Sequence, residues 1–306
     1  MWTEWFIMLR VKGLWAPQTA FYQSRCFVLW TDRYRNNDCL NSTRSSGTHL
    51  AQLLVNEREH QMAKLQDKIA VITGGTSGMA LASAKLFVEE GAYVFITGRR
   101  QDQLDQATKE IGRSVTGVQG DSANLEDLDR LFERVKKQKG HIDVLFASAG
   151  VGELDKPIGT ITEKSVDDTL NVNFRGTVFT VQKALPLFRD GGSIILNTSA
   201  ANAMGLPGAS VYAASKAAVR SFARTWTAEL KDRKIRVNAL SPGSIGDTGT
   251  FATIPDQVRD YLISQIPAGR LGLAREIAGA ALFLASDDSS FVRGIELVVD
   301  GGMSQV

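Results

Sequence analysis

The chain has 306 residues, 43% hydrophobic and 22% charged, and its 35 basic and 33 acidic side chains leave a net charge of +2. This balance provides for a large buried core and gives no basic excess that would favour nucleic acid or an acidic membrane surface. Cys26 and Cys39 are the only cysteines, and no apolar run reaches the ~18 residues that span a bilayer, so neither a disulfide scaffold, a metal site nor a membrane protein is indicated and a cytoplasmic location is expected.

Residues 1–61 read differently from the rest. They hold Trp2, Trp5, Trp15 and Trp30, both cysteines and two of the three histidines, with no sustained helical or strand period. The apolar stretch from Trp5 to Leu9 is short for a signal sequence, and no clear cleavage site follows. The expectation is that Met62 is the true start; a disordered extension and a targeting segment are the alternatives.

From Lys68 onward, strand and helix patterns alternate. Residues 69–73 read as a buried strand that leads into the turn Thr73-Gly74-Gly75-Thr76-Ser77-Gly78; an amphipathic helix over 79–90 and a strand over 93–97, closed by Gly98, follow. Further strands are expected at 115–119, 144–147, 193–197, 236–240 and 296–299, with helices near 125–139, 165–187, 211–230, 255–265 and 275–285. This order predicts a doubly wound, Rossmann-like α/β domain over residues 62–306, a parallel sheet with helices on both faces.

The glycine-rich turn has a physical task. Gly74 and Gly78 lack Cβ atoms, so the chain can turn tightly between strand and helix and let a pyrophosphate approach the backbone, with Thr76, Ser77 and Met79 alongside. Farther on, Tyr212 and Lys216 are four apart in a proline-free stretch rich in small residues, so on a helix both project from one face. An ammonium beside a phenol favours the phenolate, and the tyrosine pKa is expected to fall from about 10 toward working pH. With Asn173 and Ser199, this pair describes hydride chemistry on a carbonyl or alcohol.

These residues carry a resemblance. Thr73, Gly74 and Gly78 match the pattern T-G-x-x-x-G-x-G, Tyr212 and Lys216 match Y-x-x-x-K, and Ser199 precedes the tyrosine by thirteen positions. Asn173 lies within Asn-Val-Asn-Phe-Arg-Gly, Pro242-Gly243 supply a P-G pair, and residues 294–302 resemble a final strand and tail. In this order, over residues 62–306, the chain resembles the short-chain dehydrogenase/reductase family in its single-domain form of about 250 residues. It departs from the pattern at Ala80, where the last glycine is usual, and at Ser148, where the turn Ala147-Ser148-Ala149-Gly150 usually carries asparagine.

The resemblance implies catalytic roles for Asn173, Ser199, Tyr212 and Lys216. Tyr212 would be the general acid or base, Lys216 would lower its pKa and hold the nicotinamide ribose, Ser199 would bond the substrate oxygen, and Asn173 would hold a water in a proton relay. Singly, each has a plain structural reading, from core-edge aromatic to strand-end turn residue; the ordered set carries the weight. Gly98-Arg99-Arg100 stands where NAD-preferring members usually place an acid, so NADP(H) is favoured and NAD(H) stays open, with Arg99 and Arg100 offering donor forks to a 2′-phosphate or being simply solvated. Asp121 and Ser122 resemble adenine-lining residues or helix caps, and Ala149, Gly150, Pro242, Gly243, Ile245 and Thr248 complete the expected cofactor contacts. Residues 151–160 and a mobile lid within 249–269 are expected to shape the substrate pocket. A homotetramer or homodimer is implied, built on 165–187, 211–230 and the last strand. The reading is an alcohol dehydrogenase or ketoreductase acting on a small molecule; a non-catalytic NAD(P)-binding regulator of the same fold is the alternative.

Overall fold

Short runs of branched apolar residues make the strands, and their alternation divides the core. Along Ile69–Ile72 (β1), Ala70 and Ile72 face one side of the sheet and Ile69 and Val71 the other, and all four are buried. The computed structural model describes residues 63–249, 251 and 254–306; the expectations for residues 1–61 lie outside them.

The remaining strands are β2 (Tyr93–Gly98), β3 (Val115–Gln119), β4 (Ile142–Ala147), β5 (Phe188–Asn197), β6 (Arg236–Pro242) and β7 (Glu296–Val299). Every pairing is parallel, in the order β3-β2-β1-β4-β5-β6-β7. The helices are α1 (Gly78–Glu89), α2 (Gln101–Ile111), α3 (Leu125–Lys139), α4 (Glu163–Leu170), α5 (Thr177–Ala184), α6 (Ser210–Glu229), α7 (Asp256–Ser264) and α8 (Ala274–Ala285). On one face α1, α2 and α8 pack Phe87, Leu104 and Ile277 against the sheet; on the other α3, α5 and α6 pack Leu131, Val181 and Val219. Fully burying each such side chain contributes about 1.5–3 kcal/mol.

The expected architecture is present, and the differences are local. The bounds of β3, β7 and α3 coincide with the sequence reading, and α3 shows why: Asn124 accepts from the Glu126 and Asp127 amides at its start, and Gly140 turns left-handed at its end. Residues 101–111, given no element above, form α2, whose mostly polar sequence buries little beyond Leu104 and Ala107. Residues 165–187 are not one helix. α4 and α5 flank a π-helical turn, Asn171–Gly176, and Leu185–Leu187 closes as a 3-10 turn with Pro186 in its first positions. The widened turn lies where Gly176 meets the Ser122 backbone, a Cβ there falling 2.9 Å from the Ser122 carbonyl oxygen, and where the Asn173 side chain binds another segment.

Candidate active site

The strand order reverses between β1 and β4, which opens a crevice at the C-terminal ends of the strands. Its outer half is lined by Gly74, Thr76 and Ser77 after β1, Gly98, Arg99 and Arg100 at the end of β2, Asp121 and Ser122 after β3, and Ala149 and Gly150 after β4. Thr97, Gln103 and Val172, not singled out from the sequence, line it too, as does Val151 from the segment expected to shape the substrate pocket. Gly74 has φ +71°, and a Cβ there would lie 3.0 Å from Ala149 Cα, so glycine is required by both conformation and space. The Thr73 hydroxyl accepts from the amides of Ser148 and Ala149, each at 3.1 Å, and ties the two turns together. Ser148 thus contributes through its backbone where the family pattern has asparagine. Ala80, the other departure, sits buried in the core beside α8.

This half fits a dinucleotide. Ser77 does not cap α1 with its side chain and the first turn holds no acidic residue, so the helix presents free amides to an anion. Arg99 and Arg100 are exposed, and neither is in an ion pair among the described residues. Asp121 does not cap α3, a role Asn124 fills; its carboxylate accepts from the Ala123 amide at 2.9 Å.

The inner half holds Ser199 and Tyr212 together with Met79, Pro242, Gly243, Ile245 and Thr248. Met79 therefore belongs with the reacting residues and not with the outer cleft. The Thr248 hydroxyl donates to the Ile245 carbonyl at 2.9 Å, and its methyl lies 3.3 Å from the place a Cβ on Gly78 would take, so this residue closes the loop after β6 over the glycine-rich turn. Gly243 bends beneath the last residues of the sheet, where a Cβ would fall 2.7 Å from Asp300 Cα.

The four residues named for chemistry converge. Tyr212 and Lys216 lie in the first two turns of α6, and Ser199 follows β5 as the cap of a 3-10 turn, its hydroxyl accepting from the Ala201 amide at 3.2 Å. Asn173 reaches across from the π turn: its Oδ1 accepts from the Val151 amide at 2.8 Å, and its Nδ2 donates to the Val151 carbonyl at 2.8 Å and to Ser215 Oγ at 3.0 Å. Lys216 Nζ donates to the Asn197 carbonyl at 3.0 Å. A Cβ on Gly150 would stand 3.1 Å from Lys216 Nζ and 3.2 Å from Asn173 Oδ1, so both meet beneath that glycine.

Comparison with known proteins places the chain in a family. A family model described as enoyl-(acyl carrier protein) reductase matches residues 74–304. An oxidoreductase of Sarocladium schorii is 46% identical over 245 residues, covering 79% of this chain and 98% of its own length. A 3-oxoacyl-(acyl-carrier-protein) reductase of Thermotoga maritima is 38% identical over 78% of this chain and 99% of its own. The chain belongs to the short-chain dehydrogenase/reductase family. A 3alpha-hydroxysteroid dehydrogenase of Mediterraneibacter gnavus is 35% identical over 78% of this chain and 97% of its own. A Brucella melitensis crystal structure titled short-chain dehydrogenase/reductase, glucose/ribitol dehydrogenase, superposes with a TM-score of 0.74 at 28% identity over 79% of this chain and 99% of that one. Membership makes this protein an NAD(P)-dependent oxidoreductase of carbonyl and alcohol groups in small molecules. No helix among the described residues is long and apolar enough to cross a membrane.

Electrostatics within this short-chain dehydrogenase/reductase site correct one expectation. The Tyr212 pKa is raised above its usual value, not lowered: burial disfavours the phenolate, and the Ser199 hydroxyl offsets only part of that. Lys216 Nζ sits 5.7 Å from the Tyr212 ring centroid and bonds the Asn197 carbonyl in place of the phenol. Burial brings its own pKa down to about 8.

Two further features escaped the sequence reading. A Cβ on Gly152 would come 3.2 Å from the Tyr212 ring, so this glycine leaves room for the tyrosine; its position two residues past Gly150 was the available signal. Behind Ser199, Asn202 Nδ2 donates to the Ser199 carbonyl and to Glu296 Oε1, both at 2.5 Å. Glu296 also accepts from Ser241 Oγ at 2.5 Å and from Arg220 Nε at 3.1 Å, joining β6, β7 and α6 to the serine turn. A carboxylate inside the last strand was the hint.

Proposed function

We propose that this short-chain dehydrogenase/reductase is an NADP(H)-preferring ketoreductase and alcohol dehydrogenase in which Tyr212 gives a proton to, or takes one from, the substrate oxygen. The observation that carries this reading is the placement of the Ser199 and Tyr212 hydroxyls in one pocket beside Pro242, Gly243 and Ile245, next to the dinucleotide-shaped cleft. A bound nicotinamide cofactor supplies or accepts the hydride. Gly74, Gly78 and the amides of α1 hold its pyrophosphate, Arg99 and Arg100 take the 2′-phosphate, and Ile245 and Thr248 bound its ring. Ser199 donates to the substrate oxygen and stabilises the developing alkoxide, and Lys216 holds the ribose. The raised Tyr212 pKa keeps the phenol protonated at neutral pH, the state that ketone reduction requires. The carbonyl and hydroxyl chemistry named in the Thermotoga and Mediterraneibacter relatives supports the same reaction class. The same reading takes residues 62–306 as the catalytic domain, acting in the cytoplasm as a homotetramer or homodimer.

The test is Tyr212→Phe. Ketone reduction should fall about 10²- to 10⁴-fold, with NADPH binding by fluorescence titration and the circular dichroism spectrum unchanged. A folded variant that keeps near-full activity sinks the assignment. Failure of the unaltered protein to reduce any ketone with either cofactor would instead favour a nucleotide-binding regulator.

A further inference from the structure

The pocket that receives Ser199 and Tyr212 has no charged side chain among its described residues. Away from the sheet its wall is Leu154, Met204, Leu206, Phe251 and Met303, aliphatic, thioether and phenyl surface throughout. A carboxylate or phosphate entering it would lose water without gaining a countercharge, a strongly penalised exchange. An uncharged carbonyl needs only the two hydroxyls.

Leu154 and Leu206 also form the inner edge of a second depression, which runs outward over Pro157, Ile158 and Pro207. Its two sides belong to different segments, and these are locked together. The Lys156 amide donates to the Gly208 carbonyl at 3.0 Å, and Gly208, at φ +83°, lets the chains pass where a Cβ would come 2.8 Å from the Leu154 carbonyl oxygen. The shelf is therefore a built continuation of the pocket wall. Ile158 lies on it 87% exposed, an apolar side chain left in water beside the route to the reacting residues. The charged residue that lines the shelf is Asp155, an acid, which repels anions.

Resting on the function proposed above, we infer that the substrate is an uncharged ketone or secondary alcohol. Its apolar chain or ring system runs from Tyr212 between Leu154 and Leu206 onto the Pro157–Ile158 shelf. Each methylene that the shelf removes from water raises kcat/KM about fourfold, until the shelf is filled.

The experiment measures NADPH-dependent kcat/KM for methyl ketones from butanone to undecanone, and for the oxo acid that carries a carboxylate in place of the terminal methyl of undecanone. Undecanone should exceed butanone at least about tenfold, and the oxo acid should fall at least about tenfold below undecanone. Ile158→Asp, a change on the exposed surface, should cut the undecanone-to-butanone ratio at least about fivefold, and Ile158→Leu should keep it. A flat chain-length series, an oxo acid as good as undecanone, or an unchanged ratio in Ile158→Asp overturns the inference while Tyr212-dependent reduction of butanone leaves the proposed function standing. If no ketone is reduced with NADPH or NADH, the proposed function falls and the substrate inference falls with it.

Discussion

Lys216 and Arg236 are equally withdrawn from water, at 3% and 4% exposed, yet they are held in opposite ways. Arg236 opens β6, an inner strand, at the end of the sheet opposite the crevice. Its guanidinium donates to the Leu284 carbonyl at 2.8 Å, the Ser286 carbonyl at 3.0 Å and Ser289 Oγ at 2.6 Å, closing the last turn of α8. Lys216 has one protein acceptor among the described residues, the Asn197 carbonyl, and burial has brought its pKa to about 8. An ammonium carries three donors, and beside the crevice the described residues take one of them. Burial alone does not mark a functional charge; burial beside the crevice, with the pKa brought down to about 8, does.

The sharpest way to break that contrast is to remove each cation in turn. Lys216→Met should reduce turnover about 10³-fold and weaken NADPH binding while the protein stays folded. Should Lys216→Met unfold the chain, or turn over normally, the two residues would belong to one class after all.

Titration separates them next. The Lys216 pKa is about 8 in the folded protein against the ordinary lysine value of 10.5, so between those values the unfolded chain holds the extra proton. Stability from this group therefore rises with pH across that window, and its full penalty is present below about pH 8. From pH 8 to 10.5 the cofactor-free wild type should gain on the order of 3 kcal/mol relative to Lys216→Met. Urea midpoints collected across that range check it; parallel curves for the two proteins would mean that the ammonium stays hydrated.

Arg236→Met gives the reverse outcome. The methionine fills the space of the stem but leaves the end of α8 without its donors, so unfolding free energy should drop by about 2 kcal/mol. Turnover per folded molecule should stay near wild type, as read by activity at low temperature alongside a denaturant curve. A large kcat loss in folded Arg236→Met would show that the α8 end is coupled to the site.

How far these roles could be read in advance follows from their physical origin. β1 was visible because a strand buried on both faces must be apolar throughout, and the Tyr212–Lys216 pair because helical spacing puts four-apart residues on one face. Gly74 and Gly78 were visible because only glycine takes those turns at low cost. The π turn at Asn173 was not, since it depends on Asn173 reaching the Val151 backbone and on Gly176 meeting Ser122. The Glu296 and Asn202 network likewise joins residues 94 positions apart, a juxtaposition that only the folded sheet creates. The Tyr212 pKa went the other way for a similar reason: spacing says which residues are neighbours, while the direction in which Lys216 turns its ammonium is decided by the Asn197 carbonyl.

Arg99 and Arg100 form a third kind of cation, exposed at the mouth of the outer cleft, and the smallest effect is expected there because water and salt screen them. Arg99→Ser should lower the preference for NADPH over NADH about tenfold. The obvious next step, Gly98→Asp to place an acid against the 2′-phosphate, meets an obstacle in the turn itself. A Cβ on residue 98 would fall 2.3 Å from the Thr76 methyl, so the new side chain would displace the glycine-rich turn that serves both cofactors. Gly98→Asp alone should therefore weaken NADPH and NADH together, and adding Thr76→Ser, which deletes that methyl, should recover NADH use without recovering NADPH. Ratios of kcat/KM for the two cofactors across wild type, Arg99→Ser, Gly98→Asp and the Gly98→Asp, Thr76→Ser double variant decide the matter. A clean switch by Gly98→Asp alone would show that Thr76 yields easily, and a wild type that already prefers NADH would remove Arg99 from the phosphate site.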